Sequence, residues 1–180
     1  MERVKSEVIV LCEDHAQATF ARRFLYLRGY RSNRQVRILP LPGRKGGAGE
    51  KYVRDHYPPQ LKSLRKWQNK ALIVMIDADT GSVQRRKEQL DRACVDYGIE
   101  RRNADEAAIV AIPKRNVETW FVYLTGAAWN EESDEWKRKG DDLATPAADA
   151  LHEMCFRQQR LTPPAPPSLE DACDEWKRLR

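Results

Sequence analysis

ALIVMIDAD, residues 71–79, joins six consecutive apolar residues to two aspartates. An apolar run of this length is typical of a strand that is buried on both faces of a parallel sheet. Two further runs have the same form: VIVL at residues 8–11 precedes Glu13, and AIVAI at residues 108–112 precedes Glu118. The three segments therefore predict buried parallel strands that are followed by acidic residues.

Segments with helical periodicity separate these runs, and this alternation predicts an α/β fold. Right-handed crossovers between parallel strands place helices on both faces of the sheet. We predict a central, mainly parallel four-stranded sheet flanked by helices, with strands at residues 7–13, 36–41, 71–77 and 107–112. Helices are expected at residues 15–27, 50–56, 82–97 and 116–124, with another after Pro58 and Pro59.

The chain is expected to divide into an α/β domain at residues 1–128 and a small helical extension at residues 129–180 that packs on it. Residues 146–159 are predicted to form a helix of this extension. The segment TPPAPP, residues 162–167, predicts an extended connector, because proline fixes φ and removes a hydrogen-bond donor.

The composition is that of a soluble globular protein, since 41% of the 180 residues are hydrophobic and 33% are charged. No apolar run approaches the ~20 residues that a membrane span needs, and the N-terminal sequence lacks a signal-peptide pattern, so we expect a cytoplasmic protein without membrane contact. Cys12, Cys94, Cys155 and Cys173 lack CxxC spacing, and we expect reduced thiols.

Acidic residues after parallel strands meet at one edge of the sheet, which predicts a cluster of Glu13, Asp77, Asp79 and Glu118. Their mutual repulsion is costly without a cation, so Mg²⁺ or Mn²⁺ is the expected cofactor, with Glu13, Asp77 and Asp79 as ligands. Structural alternatives exist for two of the four. Asp79 suits a turn or a helix cap, and Glu118 suits the first turn of a helix that Asn116 caps.

Basic residues accompany the predicted carboxylate edge. Lys114, Arg115 and Asn116 lie just after the last predicted strand, where they could meet a phosphate, and Lys45 lies in the glycine-rich loop at residues 43–49. The net charge of +5 also suits a phosphodiester or nucleotide ligand. A solvated surface and a flexible surface loop are the alternative interpretations.

The order of these motifs resembles TOPRIM-like proteins of the OLD and RloB type. The resemblance covers roughly residues 7–125 and rests on Glu13, on Asp77 and Asp79 in an Asp-x-Asp motif, and on the Asn-x-Glu-x-Trp motif at residues 116–120. It implies a compact TOPRIM fold, divalent-metal chemistry on phosphodiesters, and a frequent role in bacterial defence against phage, sometimes beside an ATPase partner. One position departs from the family pattern: Asp14 follows Glu13, where the family usually has glycine.

By this resemblance, Glu13 acts as an acid/base or metal residue, Asp77 and Asp79 bind metal, and Glu118 is a further ligand or an orienting carboxylate. The predicted function is a Mg²⁺- or Mn²⁺-dependent nuclease acting on DNA or RNA. Two alternatives stay open: a non-catalytic nucleic-acid or partner-binding subunit of a defence complex, and a haloacid-dehalogenase-like phosphatase with Asp77 as nucleophile. A homodimer is left open as well.

Overall fold

The computed structural model describes residues 5–43, 48–137 and 140–179. Within them, four strands form one all-parallel sheet in the order β2-β1-β3-β4. The strands are β1 (Glu7–Leu11), β2 (Val36–Ile38), β3 (Lys70–Met75) and β4 (Ala108–Ala111). The predicted α/β class and the four-stranded parallel sheet are confirmed, and the architecture is consistent with a Rossmann-like fold.

Helices cover both faces of the sheet. In chain order they are α1 (His15–Leu27), α2 (Ala48–Leu64), α3 (Val83–Asp96), α4 (Val117–Leu124), α5 (Gly140–His152) and α6 (Pro167–Trp176), with a π-helical turn at Glu153–Arg157 directly after α5. No helix in the described part of the chain is long and apolar enough to cross a membrane.

Alternate residues of each strand enter two separate hydrophobic cores. In β3, Ala71, Ile73 and Met75 pack with residues of α1, α4, α5 and α6, whereas Leu72 and Val74 pack with residues of α2 and α3. Both sides of the strand are therefore buried, which explains the uninterrupted apolar run in the sequence.

Several predicted boundaries are wrong. The expected break at Pro58 and Pro59 is absent, because α2 runs continuously through both prolines. Val53, Tyr57 and Leu61 are fully or almost fully buried along this helix, and that burial outweighs the hydrogen bonds that the prolines cannot donate. Strand β2 ends at residue 38 rather than 41. Helix α5 begins at residue 140 rather than 146, and its helical geometry ends before 159.

The C-terminal segment contributes to the core on the α1 side of the sheet. Trp176 is fully buried, and its ring lies 4.4 Å from that of Phe24 and 6.3 Å from that of Phe20. Whether residues 1–128 and 129–180 fold as separate units stays a prediction.

A disulfide joins Cys155 and Cys173, so the expectation of reduced thiols is wrong for this pair. The chain after α5 and helix α6 bring the two Cα atoms to 5.8 Å, which is within the range for a disulfide. Spacing in the sequence gives no sign of this approach. Cys12 and Cys94 are free and buried.

Candidate functional site

Glu13 and Asp77 meet at the carboxyl edge of the two central strands. Glu13 Oε1 accepts a hydrogen bond of 2.6 Å from the backbone N–H of Asp77. Gln17 of α1 contacts both residues: its Nε2 donates to Asp77 Oδ1 at 2.9 Å, and its Oε1 accepts from the N–H of Glu13 at 3.0 Å. Gln17 is fully buried, and its side chain links the residues that follow β1 and β3 at this edge.

Asp14 has a structural role in this arrangement. It is the N-cap of α1, and its Oδ1 accepts a hydrogen bond of 2.9 Å from the N–H of Gln17. Its φ of −149° is extended backbone, which any residue adopts. The residue that departs from the family pattern therefore helps to hold the helix that positions Gln17.

Asp79 lies in a tight turn between β3 and α3. Its φ of +52° is in the left-handed region, which aspartate tolerates better than most residues. Ser82, not Asp79, caps α3, because the Ser82 side chain accepts a hydrogen bond from the N–H of Arg85 at 3.0 Å. The backbone of Asp79 therefore forms a turn, as the structural alternative predicted. Its half-exposed carboxylate lies at the sheet edge.

Glu118 is buried in the first turn of α4, and its carboxylate packs against the start of α5. A Cβ on Gly140 would lie only 2.7 Å from Glu118 Oε1, so this glycine leaves the space that the carboxylate occupies. Asn116 stands at the N-cap position of α4, but its side chain makes no capping hydrogen bond. Its Nδ2 instead donates to Ser133 O and Asp134 Oδ1, both at 3.4 Å, so the predicted Asn116 side-chain cap is wrong.

Burial and neighbouring charges raise the pKa values of Glu13, Asp77 and Glu118 at this edge. Burial, followed by the charges of four neighbouring carboxylates, raises the pKa of Asp77 well above its usual value; those neighbours are Glu13, Asp14, Glu118 and Asp79. Burial also raises the pKa of Glu13 to about 7, with further increases from Asp79 and Asp14. The pKa of Glu118 rises to about 7, mainly through burial and then through Asp14. The charges of the acidic residues that follow β1, β3 and β4 therefore act on one another.

Arg86 is the cation of this cluster. Among the described residues it is the only buried Lys or Arg. Its guanidinium lies 2.9 Å from Glu50 Oε1 and 3.4 Å from Asp79 Oδ2, and its charge lowers the pKa of Glu13. Sequence reasoning missed Gln17, Glu50 and Arg86. No strand end or motif of the sequence points to these three residues.

The predicted substrate-binding residues that the structure describes have acidic partners. Arg115 pairs with Asp134 through two contacts of 3.0 and 2.8 Å, and Lys114 Nζ lies 3.4 Å from Glu132. Asn116 is buried. Lys45 lies outside the described residues. A phosphate would therefore have to compete with Asp134 for Arg115.

The donor chemistry of the cluster fits a hard divalent cation, which prefers carboxylate oxygens. Among the described residues, Glu13 and Asp77 each use one carboxylate oxygen in the hydrogen bonds above, and the other oxygen of each could take a further ligand. As they stand, residues 5–43, 48–137 and 140–179 present no group of three or more His, Cys, Asp or Glu side chains arranged around one ion position. Binding therefore requires side-chain rotation, for which the half-exposed Asp79 has room.

Comparisons with protein-family models, curated proteins and solved structures give no match to this chain.

Proposed function

We propose that this chain is a Mg²⁺- or Mn²⁺-dependent nuclease of the TOPRIM-like type, which hydrolyses phosphodiester bonds in DNA or RNA. The observation that carries the proposal is the position of Asp77. Its carboxylate is buried at the carboxyl edge of the central strands, and four other carboxylates raise its pKa. Such crowding is costly in an apo protein, and a divalent cation relieves it.

Asp77, Asp79 and Glu13 would hold the ion, with Glu118 as a further ligand or an orienting carboxylate. When bound, the ion would neutralise the scissile phosphate and supply an activated water. The other tasks belong to residues of the chain itself. Glu13 is placed to hold or move a proton, and the hydrogen bonds of Gln17 keep Glu13 and Asp77 together.

Nucleic acid is the proposed substrate because the chain is basic overall while its candidate site is acidic. Basic groups attract the phosphate backbone, and the carboxylates hold the metal. The resemblance of the motif order to TOPRIM-like proteins extends the proposal to cytoplasmic anti-phage defence with an ATPase partner subunit.

A nuclease assay on Glu13→Gln tests the proposal. The substitution keeps the hydrogen-bond acceptor for Asp77 N–H but removes the charge and the capacity to carry a proton, so the rate with Mg²⁺ or Mn²⁺ should fall by ~10²-fold or more. Glu100→Gln, at a position outside the cluster, is the matched control and should keep the wild-type rate. Single- and double-stranded DNA and RNA serve as substrates.

A phosphatase would give the opposite pattern. An aspartyl-nucleophile mechanism has no role for Glu13 and forms a phosphoryl adduct on Asp77. Full metal-dependent activity of Glu13→Gln, together with a phosphoryl adduct on Asp77, would overturn the nuclease proposal. Wild-type protein that lacks activity on every substrate with either metal would favour a non-catalytic binding subunit.

A further inference from the structure

A cavity of about 260 Å³ lies beside Asp79, on the α2 and α3 side of the sheet edge. The turn at residues 78–82 forms one wall, and Arg85, Arg86 and Gln89 of α3 and Glu50 of α2 form the others. The cavity has room for a phosphate group with several waters. Asp79 belongs to both this cavity and the candidate metal site, so ligands of the two sites would be neighbours.

Arg86 is the central residue of this cavity. Its side chain is only 7% exposed, although it carries a permanent positive charge. Two carboxylates and Gln89 Oε1 accept hydrogen bonds or ion pairs from its terminal nitrogens, whereas its Nε–H is buried without an acceptor among the described residues. A buried donor that lacks an acceptor is costly. A small movement of the guanidinium toward an anion in the cavity would supply one.

Further donors surround the same cavity. The Ser82 hydroxyl oxygen accepts the hydrogen bond of Arg85 N–H, so its own proton is free to be donated. Thr80 is exposed, and its hydroxyl lies on the same turn. The cavity also borders the N-terminus of the 14-residue helix α3, where the helix dipole favours negative charge.

The charge balance of the walls depends on the metal. Arg85 and Arg86 face Glu50 and Asp79, so the walls carry no net charge in the absence of a cation. A divalent ion bound to Asp79 would make the same region positive. It would also draw Asp79 away from Arg86, whose guanidinium could then meet a phosphate oxygen.

We propose that this cavity is a phosphate subsite that binds its ligand once a divalent cation occupies Asp77 and Asp79, with Arg85 and Arg86 as its cations. The inference rests on the proposed function and specifies its substrate. The subsite takes the phosphate next to the one at the metal, so the substrate carries at least two neighbouring phosphates, as a nucleic-acid strand does.

Calorimetry with inorganic phosphate tests the subsite directly. Phosphate should bind wild-type protein about 5- to 150-fold more tightly with saturating Mg²⁺ than with EDTA, the range typical of coupled sites. Arg85→Ala and Arg86→Lys should each lose roughly tenfold in phosphate affinity with Mg²⁺ present, since lysine keeps the charge of Arg86 but loses its planar donor geometry. Arg92→Ala is the control, because Arg92 is exposed on the same helix and pairs with Asp96.

A second arm separates free phosphate from a nucleic-acid phosphate. With Mg²⁺ present, a 5′-phosphorylated thymidine dinucleotide should displace inorganic phosphate from wild type better than the unphosphorylated dinucleotide does. If the two dinucleotides compete equally, or neither competes, the cavity is not a substrate subsite.

Divalent-ion affinity is measured first, so that a failure of the proposed function can be distinguished from a failure of the phosphate subsite. Wild-type protein that binds neither Mg²⁺ nor Mn²⁺ contradicts the proposed function. If the metal binds but phosphate affinity is unchanged by Mg²⁺, or is the same in wild type, Arg85→Ala and Arg86→Lys, the subsite is refuted and the metal site stands.

Discussion

Replacing Asp77 by asparagine should stabilise the metal-free protein, although the residue is buried and hydrogen-bonded. Asparagine keeps the Oδ1 that accepts from Gln17 Nε2 at 2.9 Å. It removes a carboxyl group whose pKa is raised by burial first and then by the charges of four neighbouring carboxylates. The substitution therefore relieves an electrostatic cost without removing the contact with Gln17.

The expected gain in the free energy of unfolding should increase as pH rises. A carboxylate whose pKa rises on folding takes up a proton as the chain folds, so its contribution to stability is complete below the unfolded pKa and is lost as pH rises toward the folded pKa. The loss is at most about 1.4 kcal/mol per pH unit for one proton. The advantage of Asp77→Asn should therefore be larger at pH 7.5 than at pH 5, by at most about 3.5 kcal/mol for one proton.

Urea denaturation in EDTA at these two pH values measures the effect. Asp105→Asn, an exposed position, is the control for the loss of one negative charge and should leave stability unchanged within about 0.5 kcal/mol. Adding Mn²⁺ should stabilise wild type and not Asp77→Asn, because a ligand stabilises only a fold that binds it. An Asp77→Asn variant that is less stable than wild type at pH 7.5 in EDTA would show that the carboxylates do not repel one another as described.

Three further predictions concern the disulfide, Gly140 and nucleic-acid binding. Cys173→Ser should lower the free energy of unfolding by about 3 kcal/mol, because the bond to Cys155 closes a loop across a sequence separation of 18 residues; urea denaturation of wild type in reducing buffer should show the same loss, and equal stability would contradict it. Gly140→Ala should reduce the proposed nuclease activity by roughly tenfold while the chain stays folded, because the new Cβ displaces the Glu118 carboxylate. Gly43→Ala, with nothing within 4 Å of its Cβ, should be neutral. Binding to DNA or RNA should weaken with salt with a log–log slope of about −0.7 to −0.9 per phosphate contacted, and binding indifferent to salt would argue against a nucleic-acid ligand.

Three of the four strands are predictable from sequence because of their burial. β1, β3 and β4 lie in runs that are apolar at nearly every position, and a strand covered by helices on both faces requires this composition. The continuity of α2 through Pro58 and Pro59 is not predictable in the same way, because it depends on tertiary packing of Val53, Tyr57 and Leu61.

The candidate site is also predictable from sequence only in part. Glu13 and Asp77 follow recognisable strands, and the parallel topology alone predicts that they approach each other. Gln17, Glu50 and Arg86 follow no strand and match no motif. Their positions depend on how α1, α2 and α3 dock at the sheet edge, which periodicity does not specify. The pairing of Cys155 with Cys173 likewise depends on the docking of α6.

Anomalous diffraction from Mn²⁺-soaked crystals is the decisive test of the proposed metal centre, because it locates the ion without relying on activity. We expect a peak within about 2.0–2.3 Å of carboxylate oxygens of Asp77 and Asp79, with Glu13 as a third ligand directly or through water. The peak should vanish in crystals of Asp77→Asn. A wild-type crystal at saturating Mn²⁺ with no peak at this edge, or with a peak that persists unchanged in Asp77→Asn, would contradict the metal-centre account.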